Sequence, residues 1–168
     1  QEEAMTMAER IAIMHLGCIE QIGSPVDIYE TPISRQVCEF IGSVNLFDGE
    51  VVDDAEDHAV IACPQLERNI YVGHGVSTSV EDKRVTYALR PEKLIVTTEQ
   101  PTCEHNWSSG KVHDIAYLGG HSVFHVELPS GMIVQSFVAN AERRGTRPTW
   151  GDNVFVCWED DSGVVLRS

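Results

Sequence analysis

The sequence is short of positive charge. Its 168 residues carry 12 Lys and Arg against 26 Asp and Glu, a formal net charge of −14. The longest basic runs are pairs, Lys83-Arg84 and Arg143-Arg144. Proteins that hold nucleic acid neutralise phosphates with clustered cations, so no nucleic-acid partner is expected. The acidic excess reads first as a solvated surface. No apolar run approaches the length of a membrane-spanning helix, and no signal-peptide pattern is present. The five cysteines (Cys18, Cys38, Cys63, Cys103, Cys157) are odd in number and widely spaced, and no two form a CxxC pair. That pattern fits reduced thiols better than a disulfide framework or a zinc site.

Catalytic signatures are missing as well. The sequence has no GxxxxGK[ST], so it carries no phosphate-cradling loop of that type. It has no GxSxG nucleophile elbow. Gly73-His74-Gly75 is the nearest approach to a dinucleotide fingerprint, but the next residues, "VSTSVEDK", have no helical period, so a surface turn is expected. His121 and His125 lie four apart in an alternating segment. On a strand that spacing separates them by about 13 Å, too far for one metal ion. No catalytic, nucleotide-binding or metal-binding residue is assigned.

What is present divides near residue 43. In residues 1–43 the pattern is α/β. Ala4, Met7, Ala8 and Ile11 form a stripe at helical spacing, with Glu2 and Glu3 toward its start and Arg10 toward its end. "IAIM" and "CIEQIG" read as two strands joined by a tight turn at Gly17. Ser24, Pro25 and Asp27 are the start signals of a helix. Thr31 and Pro32 repeat them for a second helix, whose apolar stripe is Ile33, Val37, Phe40 and Ile41 and whose end is Gly42.

From residue 44 onward the segments are short, β-branched and separated by turn residues. Strands are expected near 46–52, 58–63, 69–72, 85–90, 93–98, 110–117, 121–128, 131–138, 153–158 and 163–167. "LPSGM" at 128–132 is a hairpin signal. Many short strands at close spacing predict a small closed or nearly closed β-barrel. "LFDGEVVD" at 46–53 is faintly echoed by "WSSGKVHD" at 107–114, which fits two half-barrels in tandem. In "YALRPEKLIV", Arg90-Pro91-Glu92 interrupts two apolar runs. Pro91 breaks the ladder, and Arg90 and Glu92 are placed to pin a corner by local charge-assisted bonds. An anion site around Arg90 is the other reading.

Together these pieces resemble the ATP-binding subunits of ABC importers of the maltose, iron, sulfate and polyamine type. "QEEAMTMAERIAIM" is similar to the run after that family's switch histidine. "GCIEQIGSPVDIYETPISRQVCEFIGSVNLFDGEV" resembles the passage from the nucleotide-binding domain into the regulatory domain. "YALRPEKL" matches the family's Arg-Pro-Glu signature, and the later strands resemble its TOBE module. Within the family the polyamine branch, putrescine type, is nearest. One departure is Cys18, where relatives carry Arg or Lys.

The resemblance implies a mainly β chain: a TOBE, OB-like barrel regulatory domain over 44–168, preceded by a small α/β remnant of a P-loop ATPase domain over 1–43. It implies that the switch histidine, P-loop, signature loop and catalytic acid fall outside this sequence, so ATP and Mg belong to a longer parent and no cofactor to this chain. It implies a homodimer through the regulatory domain, membrane permease subunits as partners, and a cytoplasmic position on the inner face of the membrane. A different class of function, a small-oxyanion sensor, would use backbone amides at Gly119 and Gly120 with Lys111 or His121. A pocket for putrescine itself would rest on net charge alone.

Overall fold

The computed structural model describes residues 1–77, 82–140 and 147–167; the Arg143-Arg144 pair and much of the segment after Gly75 lie outside them. The first five elements are α1 (Glu2–Met7), β1 (Ile11–His15), β2 (Cys18–Gly23), α2 (Pro25–Glu30) and α3 (Arg35–Ile41). The hairpin β1–β2 turns at Leu16 and Gly17, both at positive φ. The capping box expected at α2 is present: the Ser24 hydroxyl accepts from the Asp27 amide, and the Asp27 carboxylate accepts from the Ser24 amide. Ile13, Ile28 and Val37 bury together, with Ile11 and Ile41 packed beside them.

Three expectations for this region need correction. The opening helix stops at Met7, because Ala8 turns extended; Ile11 therefore starts a strand and Arg10 is not in the last helical turn. Met7 is 84% exposed and α1 buries none of its residues, so the helical part of the stripe faces no core here. The second helix is capped by Ser34, whose hydroxyl accepts from the Val37 amide; Thr31 instead closes α2. Its buried side chains are Val37 and Cys38, while Ile33 and Phe40 are exposed.

The rest is β3 (Asn45–Asp54), β4 (Ala59–Ala62), β5 (Ile70–Val72), β6 (Arg84–Leu89), β7 (Ile95–Thr97), β8 (Trp107–Tyr117), β9 (His121–Glu127), β10 (Ile133–Ala139), β11 (Asn153–Cys157) and β12 (Val164–Arg167). All ten expected strands are found, and the hairpin at 128–132 turns at Gly131, which has positive φ. The strands form two antiparallel five-stranded sheets, ordered β12-β6-β3-β4-β5 and β7-β11-β8-β9-β10.

Those two orders are the same order. β3, β4, β5 and β6 correspond to β8, β9, β10 and β11, and each half lends its last strand to the other: β7 comes after β6 but pairs with β11, and β12 comes after β11 but pairs with β6. The register agrees residue by residue. Glu50 faces Arg84 as Lys111 faces Asn153, and Leu46 faces Ala88 as Trp107 faces Cys157. The faint echo in the sequence is this repeat. Both copies shift register at the same place, between Val51 and Asp53 and between Val112 and Asp114. Both need their glycine: a Cβ on Gly49 would lie 2.6 Å from the Ala62 carbonyl oxygen, and one on Gly110 would lie 2.5 Å from Val126 Cγ1. The bulge bends a strand and strengthens its twist, which curls each sheet toward a barrel.

The sheets are fastened reciprocally by two buried asparagines. Asn45, at the start of β3, accepts from the Gln135 amide (2.7 Å) and donates to the Gln135 carbonyl (2.8 Å) on β10. Asn106, just before β8, accepts from the Tyr71 amide (2.8 Å) and donates to the Tyr71 carbonyl (2.8 Å) on β5. A carboxamide presents one donor and one acceptor side by side, so each satisfies both backbone groups of an edge residue as a further strand would. Between the sheets lies one continuous core that includes Phe47, Ile61, Tyr87, Val112, Val126 and Trp158, with the Phe47 and Trp158 rings stacked at 6.0 Å.

Asn45→Ala or Asn106→Ala is expected to lower stability by about 2–3 kcal/mol, because two backbone groups lose their partners. Asn45→Asp is expected to be no milder, since it removes the donor and aims negative charge at a carbonyl. Chemical denaturation of each variant checks both.

Candidate functional site

The Arg90-Pro91-Glu92 corner is where the chain leaves the first sheet for the second. Pro91 opens a single 3-10 turn, Pro91–Lys93, closed by the Lys93 amide bonding the Arg90 carbonyl at 3.0 Å. The turn was legible in the sequence; the role of the side chains was not. Arg90 is 5% exposed, and its bonds are not local. Its Nη1 donates to the carbonyls of Cys38 (3.1 Å), Gly42 (3.2 Å) and Ser43 (3.2 Å). Those carbonyls cluster at the C-terminal end of α3, where a helix leaves acceptors unpaired and its dipole favours a cation. Gly42 itself is extended, so the helix ends on this guanidinium rather than on a left-handed glycine.

The same guanidinium lies over the ring of Tyr29 on α2, 4.3 Å from its centroid. The Tyr29 hydroxyl donates to the Glu92 carboxylate. Burial, followed by that bond to Glu92, pushes the Tyr29 hydroxyl's pKa up, so it remains a donor across the working pH range. Lys93 pairs with Glu30. The charged residues of the corner therefore grip the helical unit, Arg90 at α3 and α2, Glu92 and Lys93 at α2.

Two further contacts complete the joint. Cys38 buries against Ala88 and Leu166, flanked by Val44, Leu46 and Val164. Arg35 reaches Asp48 at 3.0 Å, and the Thr86 hydroxyl donates to the same carboxylate at 2.7 Å. The Thr86 bond first and Arg35 after it hold the Asp48 carboxyl below its ordinary pKa. Tyr29, Arg35, Cys38 and Asp48 carry no motif, and nothing in the sequence singles them out for this role. Their only signal was position, the first three on helices just ahead of a β domain and Asp48 on its first strand.

Of the residues proposed for an oxyanion, Gly119, Gly120 and His121 share one turn and Lys111 lies apart from it. Gly119 and Gly120 form the β8–β9 turn, with Gly119 at φ 83° and His121 beginning β9. The carbonyls of both glycines accept from Asn140, which ties the turn to the end of β10. The His121 ring lies 5.2 Å from that of Phe137. Lys111 lies near the middle of β8, about 20 Å along the strand from its Tyr117 end, where it lines a cleft of about 460 Å³ with Glu127 and Asn153. The strand between them keeps the Lys111 side chain away from the turn, whereas His121 adjoins the two glycines.

Residues 87–166, from within β6 to β12, match the family described as a TOBE domain. The resemblance extends beyond the domain: across nearly its whole length the chain is related to the C-terminal part of the ATP-binding subunits of polyamine importers. It is 49% identical over 167 residues to the putrescine transport ATP-binding protein PotG of Escherichia coli, covering 99% of this chain and 44% of the relative. It is 34% identical over 178 residues to the spermidine/putrescine import ATP-binding protein PotA of Treponema pallidum, covering 99% of this chain and 46% of the relative. The chain thus spans less than half the length of these relatives. Among solved structures, the cytoplasmic molybdate-binding protein ModG shares the fold with a TM-score of 0.61 at 13% identity, over 72% of this chain and 94% of that one. Among the described residues no helix is long and apolar enough to cross a membrane.

Arg90→Met is expected to cost about 3 kcal/mol by freeing three carbonyls, and Arg90→Lys about half that, since an ammonium keeps the charge but not the planar fork. Hydrogen exchange should accelerate in residues 24–43 in both variants while β8–β10 stay protected. Acid should weaken the joint too. A carboxyl whose folded pKa is depressed contributes above its unfolded value, and that contribution fades as pH falls through the folded one. Asp48→Asn is therefore expected to flatten the stability profile below about pH 4, near the unperturbed Asp value, as read by thermal melts across pH.

Proposed function

We propose that this chain is the regulatory portion of the ATP-binding subunit of an ABC importer for polyamines, with residues 44–168 as the regulatory barrel and residues 1–43 as its link to the ATPase domain. The observation that carries this reading is the joint. A single buried arginine seizes the end of α3 and the face of α2, so the barrel and the helical unit move as one body. Such coupling suits a domain that must feel the opening and closing of an ATPase without doing chemistry.

The exposed apolar side chains support the link. Met14, Leu16, Ile19 and Ile22 lie open on the β1–β2 hairpin, and Val26, Ile33 and Phe40 on or beside the two helices. A monomeric surface seldom leaves so many clustered, and the remainder of an ATPase domain would cover them. ATP and Mg would bind in that domain, and it would also meet the membrane permease subunits on the cytoplasmic side. The barrel's own exposed groups, Tyr117 (73%), Leu118 (60%) and Trp150 (61%), sit on the β8–β9 hairpin and the loop before β11. We assign them to contact with a second copy.

Sedimentation equilibrium is expected to give a dimer that Tyr117→Asp with Trp150→Asp dissociates; a monomer at every concentration would remove the dimer reading. The oxyanion-sensor alternative is tested by titrating the chain with molybdate, tungstate and sulfate. No saturable heat is expected, because the strand between them keeps the Lys111 side chain away from the Gly119–His121 turn. Saturable binding by any of the three would displace the regulatory-link reading in favour of the sensor.

A further inference from the structure

The internal repeat gives every surface of the first half a twin on the second. The patch that seats α3 consists of Ala88 and Leu166, flanked by Val44, Leu46 and Val164 and closed over by Cys38. The register places Cys157 where Ala88 stands, Trp107 where Leu46 stands, Ile95 where Val164 stands and the smaller, polar Thr97 where Leu166 stands. His105 precedes Asn106 as Val44 precedes Asn45. Among the described residues no helix lies on this twin. Ile95 is 51% exposed, and Ile95, His105 and Cys157 line an open cleft of about 320 Å³.

We propose that this face docks a basic amphipathic helix of a partner protein, seated as α3 is seated on the first half. The shape argument is the repeat itself: the same strand pairings make the same shallow sheet face, and on one copy the chain shows what fits it. The charge argument decides the occupant. Where the α3 face carries Arg90, its twin carries Glu159, next after the residue that bonds Asn106. Glu104 and Asp160 line the same cleft. The rim that holds helix carbonyls on one side is thus anionic on the other and calls for Lys or Arg. Trp107 already accepts a cation from its own chain: the Arg68 guanidinium lies 4.2 Å from its ring centroid. A second copy of this chain, at a net charge of −14, is a poor match for an acidic rim.

The probe is a sixteen-residue amidated peptide with leucines at i, i+3, i+4 and i+7 and three flanking lysines, titrated into the whole chain by calorimetry and by amide shift mapping. Saturable binding is expected, with shifts centred on Ile95, His105 and Glu159. Ile95→Asp, or Glu104→Lys with Glu159→Arg, is expected to weaken it at least ten-fold. All three positions are at the surface, so the variants should fold; their melting curves check this. A peptide with glutamates in place of the lysines should not bind. Three results would overturn the proposal: no binding of the basic peptide, equal binding of the acidic one, or a dimer of this chain that Ile95→Asp dissociates.

Discussion

The barrel depends on two side chains standing in for strands. Each sheet ends in an edge, β5 in one and β10 in the other, and a free edge leaves unpaired backbone groups in a half-buried seam. Asn106 and Asn45 close those seams, each with a donor and an acceptor spaced like those of a peptide. Because each asparagine opens the central strand of the opposite sheet, neither half can close without the other. The exchange of β7 and β12 enforces the same dependence through the backbone ladders. Two weakly similar sequences thereby become one cooperative unit with one core.

The regulatory reading rests on how the helices are fixed to that unit. Apolar contact at Cys38 is small, and surface ion pairs such as Arg35–Asp48 contribute modestly. Arg90 differs because it is buried and because its partners are carbonyls that α3 could not otherwise satisfy. A guanidinium at the negative end of a helix, capped on one face by Tyr29, meets three needs at once: the helix end, the ring and the corner. The motif sits at the point where the chain crosses between half-barrels. Any shift of the helices is therefore delivered to the crossing strand rather than to a loop.

Much of this was legible in the sequence, and the failures have physical causes. The ten strands were visible because period-two alternation and turn residues are local signals. The α2 cap was visible because Ser, Pro and Asp act within one turn. The start of α3 was misread because Thr31-Pro32 imitates Ser24-Pro25, and the choice of Ser34 depends on where Val37 must bury. The opening stripe misled because Ala8 leaves the helix before Ile11 could join its face. Arg90 was noticed for the right motif and given the wrong partners, since a bond to Cys38 spans a separation no local rule sees. The asparagines left one trace, since each immediately precedes one copy of the echoed segment. A buried carboxamide and a turn asparagine are the same letter, and only the repeat would have aligned position 106 with position 45.

The repeat also bears on why one half gained chemistry that the other lacks. Gly49 and Gly110 are held alike by the approach of a neighbouring strand, so the scaffold positions could not drift. The rims could. Glu50 has become Lys111 in the second half, and Arg90 answers to Glu159. Some interior positions keep their type, Val51 with Val112 and Ile61 with Val126, while others trade volume across the one core: Phe47 answers to Ser108, Tyr87 to Val156 and Leu89 to Trp158. Surface positions answer to what lies against them. On the first half that is the chain's own helix, and the charge there is matched to helix carbonyls. On the second half the charges are exchanged at both places, Lys111 for Glu50 and Glu159 for Arg90, so its rim presents an anion where the first half presents the guanidinium that holds α3.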